Sequence, residues 1–193
     1  MVRRCQSSEP EIYEPAFGEL YSSYSDRVFN TSFRVVGNAA DAADVTQDVF
    51  LTVFRKIGEF QFSSRFFTWI YRITVNLSID RRRRGQSAPG LVLEGGGEAN
   101  VLNSLPDEEA ASPDAWADRE FLEGKVQKSI ERLSPKLRAI VVLRYIEGLA
   151  YGEIAEVMGC SIGTVKSRLN RAHKNLEVFL GPVVEAMSGE DEE

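Results

Sequence analysis

Apolar residues recur at three- and four-residue spacing along most of the chain, and the strict alternation of half-buried strands is scarce, so the pattern predicts an all-α fold. In the first stretch Phe17, Leu20, Tyr21, Tyr24 and Val28 share helical spacing, and Phe33 and Val36 carry the apolar character up to Gly37. Asn38 is placed to cap a second helix, with Asp41 three positions on, near the positive end of the helix dipole. That helix runs to about Ile57, where Gly58 stops it. A short segment from Glu59 to Ser64 leads into a third helix, predicted from about Arg65 to Arg84.

Periodicity then fades. From Gly85 to about Pro113 the chain carries Pro89, Gly90, the triplet Gly95 to Gly97, Pro106 and many acids, the composition of a flexible linker. One compact domain seldom contains a loop of roughly 30 residues, which favours two domains. Beyond it Leu122, Val126, Ile130 and Leu133 mark another helix. Ser134 and Pro135 supply a cap and first-turn proline for the next, which holds Leu137, Ile140, Val141 and Tyr145 and ends near Gly148. Two more helices are predicted, from about Tyr151 to Met158 and from about Ser161 to Phe179, with a tight turn at Gly159 and Cys160 and a frayed tail. The expected organisation is two small helical domains, residues 12–84 and 115–180, joined by a flexible acidic linker at 85–114 and followed by an acidic tail at 181–193.

The 193 residues are 43% hydrophobic, enough for compact cores. A net charge of −6 argues against nucleic acid on average, but the charge is sorted along the chain. Residues 1–84 carry 12 basic and 10 acidic groups, and residues 85–124 one and nine. Residues 125–178 carry 10 and five, and residues 179–193 none and five. Two basic blocks between acidic segments leave room for local phosphate binding. Cys5 and Cys160 are isolated thiols, which excludes a zinc ribbon and makes a disulfide framework unexpected. No apolar run is long enough to cross a bilayer and the N-terminus lacks the apolar core of a signal peptide, so the chain is expected in the cytoplasm without membrane insertion.

The last two helices carry the strongest chemical signal. Ala155 allows close crossing, Gly159 permits a positive φ, and Val165 packs the second helix on the first, as in a helix-turn-helix. Val165, Leu169, Ala172 and Leu176 share one face. Thr164, Ser167, Arg168 and Arg171 share another, offering hydroxyls and guanidinium groups to base edges and phosphates, and Ser161 is placed to cap. On the second helix Asp41, Asp44, Gln47, Asp48, Leu51 and Arg55 line one side, opposite Val45, Val49, Phe50, Val53 and Ile57. This is either an ordinary solvated face or an acidic docking surface; no histidine or ExxH motif accompanies it as a metal site would need.

On the third helix Phe66, Ile70, Ile73 and Leu77 form the expected core stripe. Trp69, Arg72, Asn76 and Arg83 project from one flank, with Tyr71 and Arg81 towards the other. That set suits stacking on an unpaired base, or else Trp69 is core and arginines 81–84 complement the helix dipole. The run LVLEGGGEA resembles a phosphate loop without the Lys-Ser/Thr pair and reads as linker. With His173 as the sole histidine, hydrolase triads have little to build on, and no enzyme or cofactor is expected.

Three segments, NAADAADVTQDVFLTVFRKIGEF, FFTWIYRITVNLSIDRRRR and LSPKLRAIVVLRYIEGLAYGEIAEVMGCSIGTVKSRLNRAHKNL, together resemble the extracytoplasmic-function (ECF) group of bacterial RNA polymerase sigma factors, in that group's order. The resemblance implies that the first domain is like sigma domain two and the last like sigma domain four. It implies that Asp41, Asp44, Gln47, Asp48, Phe50 and Leu51 dock on the β′ clamp helices of core RNA polymerase, with a further polymerase contact at the β flap. It assigns the segment Phe60 to Arg65, with Phe60, Ser63 and Arg65 named in it, and Trp69, Tyr71, Arg72, Asn76 and Arg83 behind them, to opening the minus-ten element of promoter DNA and capturing a flipped base. Ser161, Thr164, Lys166, Ser167, Arg168 and Arg171 match the reader of the minus-thirty-five element. An anti-sigma factor is a further implied partner. A stand-alone helix-turn-helix regulator is the competing reading, and it would not need the docking and aromatic-basic helices.

Overall fold

The computed structural model describes residues 1–87 and 124–188. The predicted linker beyond Ser87 and the Gly95 to Gly97 triplet lie outside the described residues, as does the end of the tail. Among the described residues there is helix and no strand. A 3-10 turn at Arg4–Gln6 precedes α1 (Pro10–Val36), α2 (Ala39–Lys56), a second 3-10 turn at Ile57–Glu59 and α3 (Phe66–Ser87). In the C-terminal part, residues 124–131 form α4. They are followed by α5 (Pro135–Val141), a π-helical turn (Val142–Ile146), α6 (Tyr151–Met158) and α7 (Ile162–Ser188).

Helices α1, α2 and α3 pack mutually into an N-terminal lobe. Leu20, Val28 and Val35, Val45, Val49 and Val53, and Ile70 and Val75 are its buried centre. Each such side chain contributes roughly 1.5–3 kcal/mol through apolar area removed from water. The α1–α2 corner is local chemistry: Gly37 adopts a left-handed φ of 93°, and Asn38 Oδ1 accepts from Asp41 N at 2.8 Å. The second lobe packs α5 and α6 against α7 through Ile140, Leu143, Ile154, Val165, Leu169 and Ala172. Gly159, with φ 59°, makes the turn between α6 and α7.

Several expectations are corrected. The expected Phe66 and Ile70 are buried, but so are Thr68, Tyr71, Thr74, Val75, Ser78 and Ile79, whereas Ile73 and Leu77 are half-buried, because α3 is covered by α1 and α2 on one side and by α5 and α6 on the other. Ser134 occupies the N-cap position of α5 without a side-chain cap bond. Its helix does not stay regular to Gly148; Glu147 N donates to Val142 O at 3.1 Å, the i→i−5 bond of a π turn. The wider turn rotates Tyr145 off the apolar stripe, leaving it 57% exposed with its hydroxyl 2.6 Å from His173 Nε2. Helix α7 continues past Phe179 through Gly181 and Pro182 to Ser188 rather than fraying.

Candidate docking and nucleic-acid surfaces

An open groove of about 790 Å³ runs between α1 and α2, lined by Phe17, Tyr21, Phe29, Gln47, Phe50, Leu51 and Phe54 among others. Its walls are apolar and partly wet: Leu51 is 44% and Phe54 56% exposed, while Phe50 is buried with its ring 4.6 Å from that of Tyr21. The acidic side expected on α2 therefore divides. Gln47, Phe50 and Leu51 belong to the groove, with Asp48 exposed on the same helix. Asp41 and Asp44 instead hold α3, accepting from Arg81 Nε and Nη2 at 2.6 Å each. Burial pushes the Asp41 carboxyl up, but the hydrogen bonds from Asn38 and Arg81 outweigh it and hold the group below the usual carboxylate range.

The segment between α2 and α3 is an aromatic cluster with one ring turned outward. Phe60 is only 6% exposed and packs on Phe66 and Trp69, whose ring is 5.3 Å from it, so Phe60 and Trp69 are chiefly packing residues rather than an open stacking platform. The most exposed aromatic of the segment is Phe62, at 42%, which sequence reasoning did not single out. Ser63, Arg65, Arg72, Asn76 and Arg83 are exposed.

Tyr71 is a correction of another kind. It is completely buried, and its hydroxyl donates to Glu147 Oε2 at 2.5 Å, while Thr31 donates to Glu147 Oε1 at 2.8 Å. Burial, reinforced by the Glu147 charge, raises the phenol above its ordinary value and keeps it a donor. Glu147 lies in the C-terminal lobe, so this is a seam between lobes. Arg72 Nε and Nη2 both donate to Glu156 O, at 3.1 and 2.7 Å, and Arg65 lies 3.3 Å from Glu153. Arg138 is fully buried and donates to Val35 O across the seam at 2.8 Å, and to Ile130 O and Glu131 O within its own lobe. Burial, with the nearby Arg82 charge, brings its pKa down to about 10 against the pull of Glu131, so it stays charged at neutral pH. Three residues expected to meet DNA, Arg65, Tyr71 and Arg72, thus contact the second lobe.

Helix α7 presents its set differently. Ser161 caps it, accepting from Thr164 N at 3.1 Å, and Ser167 Oγ donates to Thr164 O at 3.0 Å. Lys166, Ser167 and Arg171 are exposed; Thr164 and Arg168 are half-buried, Arg168 with its guanidinium 3.8 Å from Cys160 Sγ. Behind them Val165, Leu169 and Ala172 fix the helix on α6. The side chains suit a major groove, hydroxyls and a guanidinium near the N-terminus and cations beyond. Among the described residues no three metal-ligating side chains converge, and no helix is long and apolar enough to cross a membrane.

The residues missed by sequence reasoning are Glu147, Arg138 and Phe62. Only the last had a local signal, a second aromatic within a short segment already under suspicion.

These features define a two-lobed helical protein with a helix-turn-helix in one lobe and a grooved three-helix lobe in the other. Residues 20–88 match the family model for Sigma-70 region 2, and residues 123–176 the model for Sigma-70, region 4. The chain is 36% identical over 86% of its length to the ECF RNA polymerase sigma factor SigE of Mycolicibacterium smegmatis, of which it spans 62%. It is 32% identical over 84% of its length to the ECF RNA polymerase sigma factor SigW of Bacillus subtilis, spanning 88% of that protein. Among solved structures it resembles the sigma factor RpoE in complex with the anti-sigma factor NepR from Bartonella quintana, with a TM-score of 0.63 and 22% identity over 86% of this chain and 97% of that one; this likeness concerns the fold. The chain belongs to the ECF group of RNA polymerase sigma factors.

Proposed function

We propose that the chain joins core RNA polymerase and directs it to promoters, with division of labour between the lobes. In this reading the α1–α2 groove and the exposed acid Asp48 receive the β′ clamp helices, and the second lobe meets the β flap. The segment 57–65 and α3 open the minus-ten element, and α7 reads the minus-thirty-five element. The chain works in the cytoplasm, catalyses no reaction of its own, and is held inactive by an anti-sigma factor, as RpoE is bound by NepR in the related structure. The observation that carries the reading is the pairing in one chain of an open apolar groove with a capped, cation-bearing helix. Pooling weak contacts through one chain raises effective concentration, so neither lobe needs tight binding alone.

The seam adds a condition. Arg65, Tyr71 and Arg72 cannot serve DNA while bonded to Glu153, Glu147 and Glu156, so the lobes part before the minus-ten element is engaged. Run-off transcription with core polymerase and a promoter library tests the whole reading. Wild-type protein yields new start sites, Asp48→Arg reduces polymerase association, and Arg168→Ala mainly weakens upstream recognition. Failure of core enzyme to retain the chain, or to start RNA with it, overturns the reading.

A further inference from the structure

The residues ahead of α1 grip the segment that leads into α3. Gln6 Nε2 donates to Ile57 O at 2.9 Å and to Phe60 O at 2.8 Å, contacts that span 51 and 54 residues of chain. The turn that carries Gln6 is itself anchored, with Cys5 buried beneath it and Arg4 paired with Glu19 of α1. The two carbonyls so held bracket the Ile57–Glu59 turn, and two residues later stands Phe62. Among the described residues Phe62 alone, apart from glycines, has a positive φ, 56°. Its ring is 42% exposed, and the guanidinium carbon of Arg3 lies 4.9 Å from the ring centroid.

The Phe62 ring lies 4.9 Å from that of buried Phe60, yet its backbone and its outer side work against the fold. A bulky residue in the left-handed region is strained, and a ring facing water forgoes burial; such strain persists where the surroundings over-determine it. Gln6 acts on Phe62 through Phe60, whose carbonyl it holds and whose ring packs on that of Phe62. The result is a held aromatic ring with the Arg3 guanidinium over one face, the two kinds of group that an unpaired nucleotide uses, ring for base and cation for backbone.

We propose that the N-terminal turn is part of the strand-opening apparatus: Gln6 is a positioning residue that sets Phe62 to stack on an unpaired base of the opened strand, and Arg3 contacts that strand's backbone. This rests on the promoter-opening reading above and extends it to residues ahead of α1.

The test uses full-length variants assembled with core polymerase, with permanganate footprinting on a promoter that the wild-type holoenzyme opens and on copies varied at single opened positions. Phe62→Gly relieves the positive φ, so its melting temperature is no lower than wild type, yet opening falls about ten-fold and discrimination at one base position is lost. Phe62→Tyr, which keeps the ring, restores both. Gln6→Glu keeps shape but sets a carboxylate against two carbonyls; it reproduces the loss of discrimination, and the double variant is no worse than Phe62→Gly alone. Arg3→Ala weakens opening on every sequence alike and lowers the salt slope of DNA binding by about one. The proposal is overturned if Gln6→Glu reduces thermal stability, polymerase association and upstream recognition in the same proportion while base discrimination stays intact. It is also overturned if Phe62→Gly opens DNA like wild type. If the wild-type holoenzyme opens no promoter at all, the parent reading fails, and that outcome is visible before any variant is compared.

Discussion

The two helices assigned to DNA, α3 and α7, are built from similar materials and held in opposite ways. Helix α7 buries a single stripe, Val165, Leu169 and Ala172, and turns Lys166, Ser167 and Arg171 to solvent. Helix α3 is covered on two sides, and Arg65, Tyr71 and Arg72, at its start and in its first turns, bond to the other lobe. On the proposed reading, the difference teaches that the upstream reader is ready in the isolated chain, whereas the downstream one is exchanged between the chain's own second lobe and DNA. The seam suits such an exchange. Its Arg65, Arg72 and Glu147 contacts are polar groups that water or a phosphate can satisfy in turn, and the cover of α3 by α5 and α6 buries Tyr71 with them.

The largest effect on this contrast should come from Arg138. Replacing it with Leu leaves the Val35, Ile130 and Glu131 carbonyls without their donor and should cost roughly 3 kcal/mol. Urea titration would show the midpoint falling, with α7 and its DNA face retained at low denaturant. Next is Glu147→Ala, which removes the acceptor of both Tyr71 and Thr31 and should weaken the seam by about 2 kcal/mol. Small-angle scattering should report a larger radius of gyration, and fluorescence anisotropy with forked DNA should show binding without polymerase rising about ten-fold. An unchanged radius and affinity would break the comparison.

Arg168→Ala addresses the ready helix. It should cost about 1–2 kcal/mol on the preferred upstream sequence and much less on scrambled DNA, measured by competition at fixed salt. The smallest effect is expected at Asp41, behind α3. Its folded pKa is depressed, so its contribution is present above the unfolded value near 4 and is lost as pH falls through the lower folded value. Because Asp41 and Arg81 are partly exposed, that contribution is under about 1 kcal/mol. Thermal melts should therefore show wild type and Asp41→Asn differing slightly at pH 7 and converging at pH 2.

How much of this was legible in the sequence follows the reach of the interactions. The caps at Asn38 and Ser161, the left-handed turns at Gly37 and Gly159, and the apolar stripes of α2 and α7 are fixed by residues within about four positions of one another, where helical spacing is informative. The seam joins residues such as Thr31 and Glu147, 116 positions apart. Pattern reading treats Arg138 and Glu147 as solvent-facing because charged residues usually are, and it treats Tyr71 as a flank residue because periodicity on α3 cannot register a second covering lobe. Gly181 and Pro182 punctuate in sequence, yet α7 runs through them. The docking face was half legible: the acids of α2 were found, but that Arg81 occupies two of them depends on how α3 crosses α2.

The π-helical turn at Val142–Ile146 has a consequence for how this chain can change over generations. It holds one residue more than an α-helical turn would, and everything after it, Glu147 and the whole recognition unit included, is aimed by that surplus. Losing a single codon there would swing the downstream helices by about 100°. The stretch can exchange letters, but not their number.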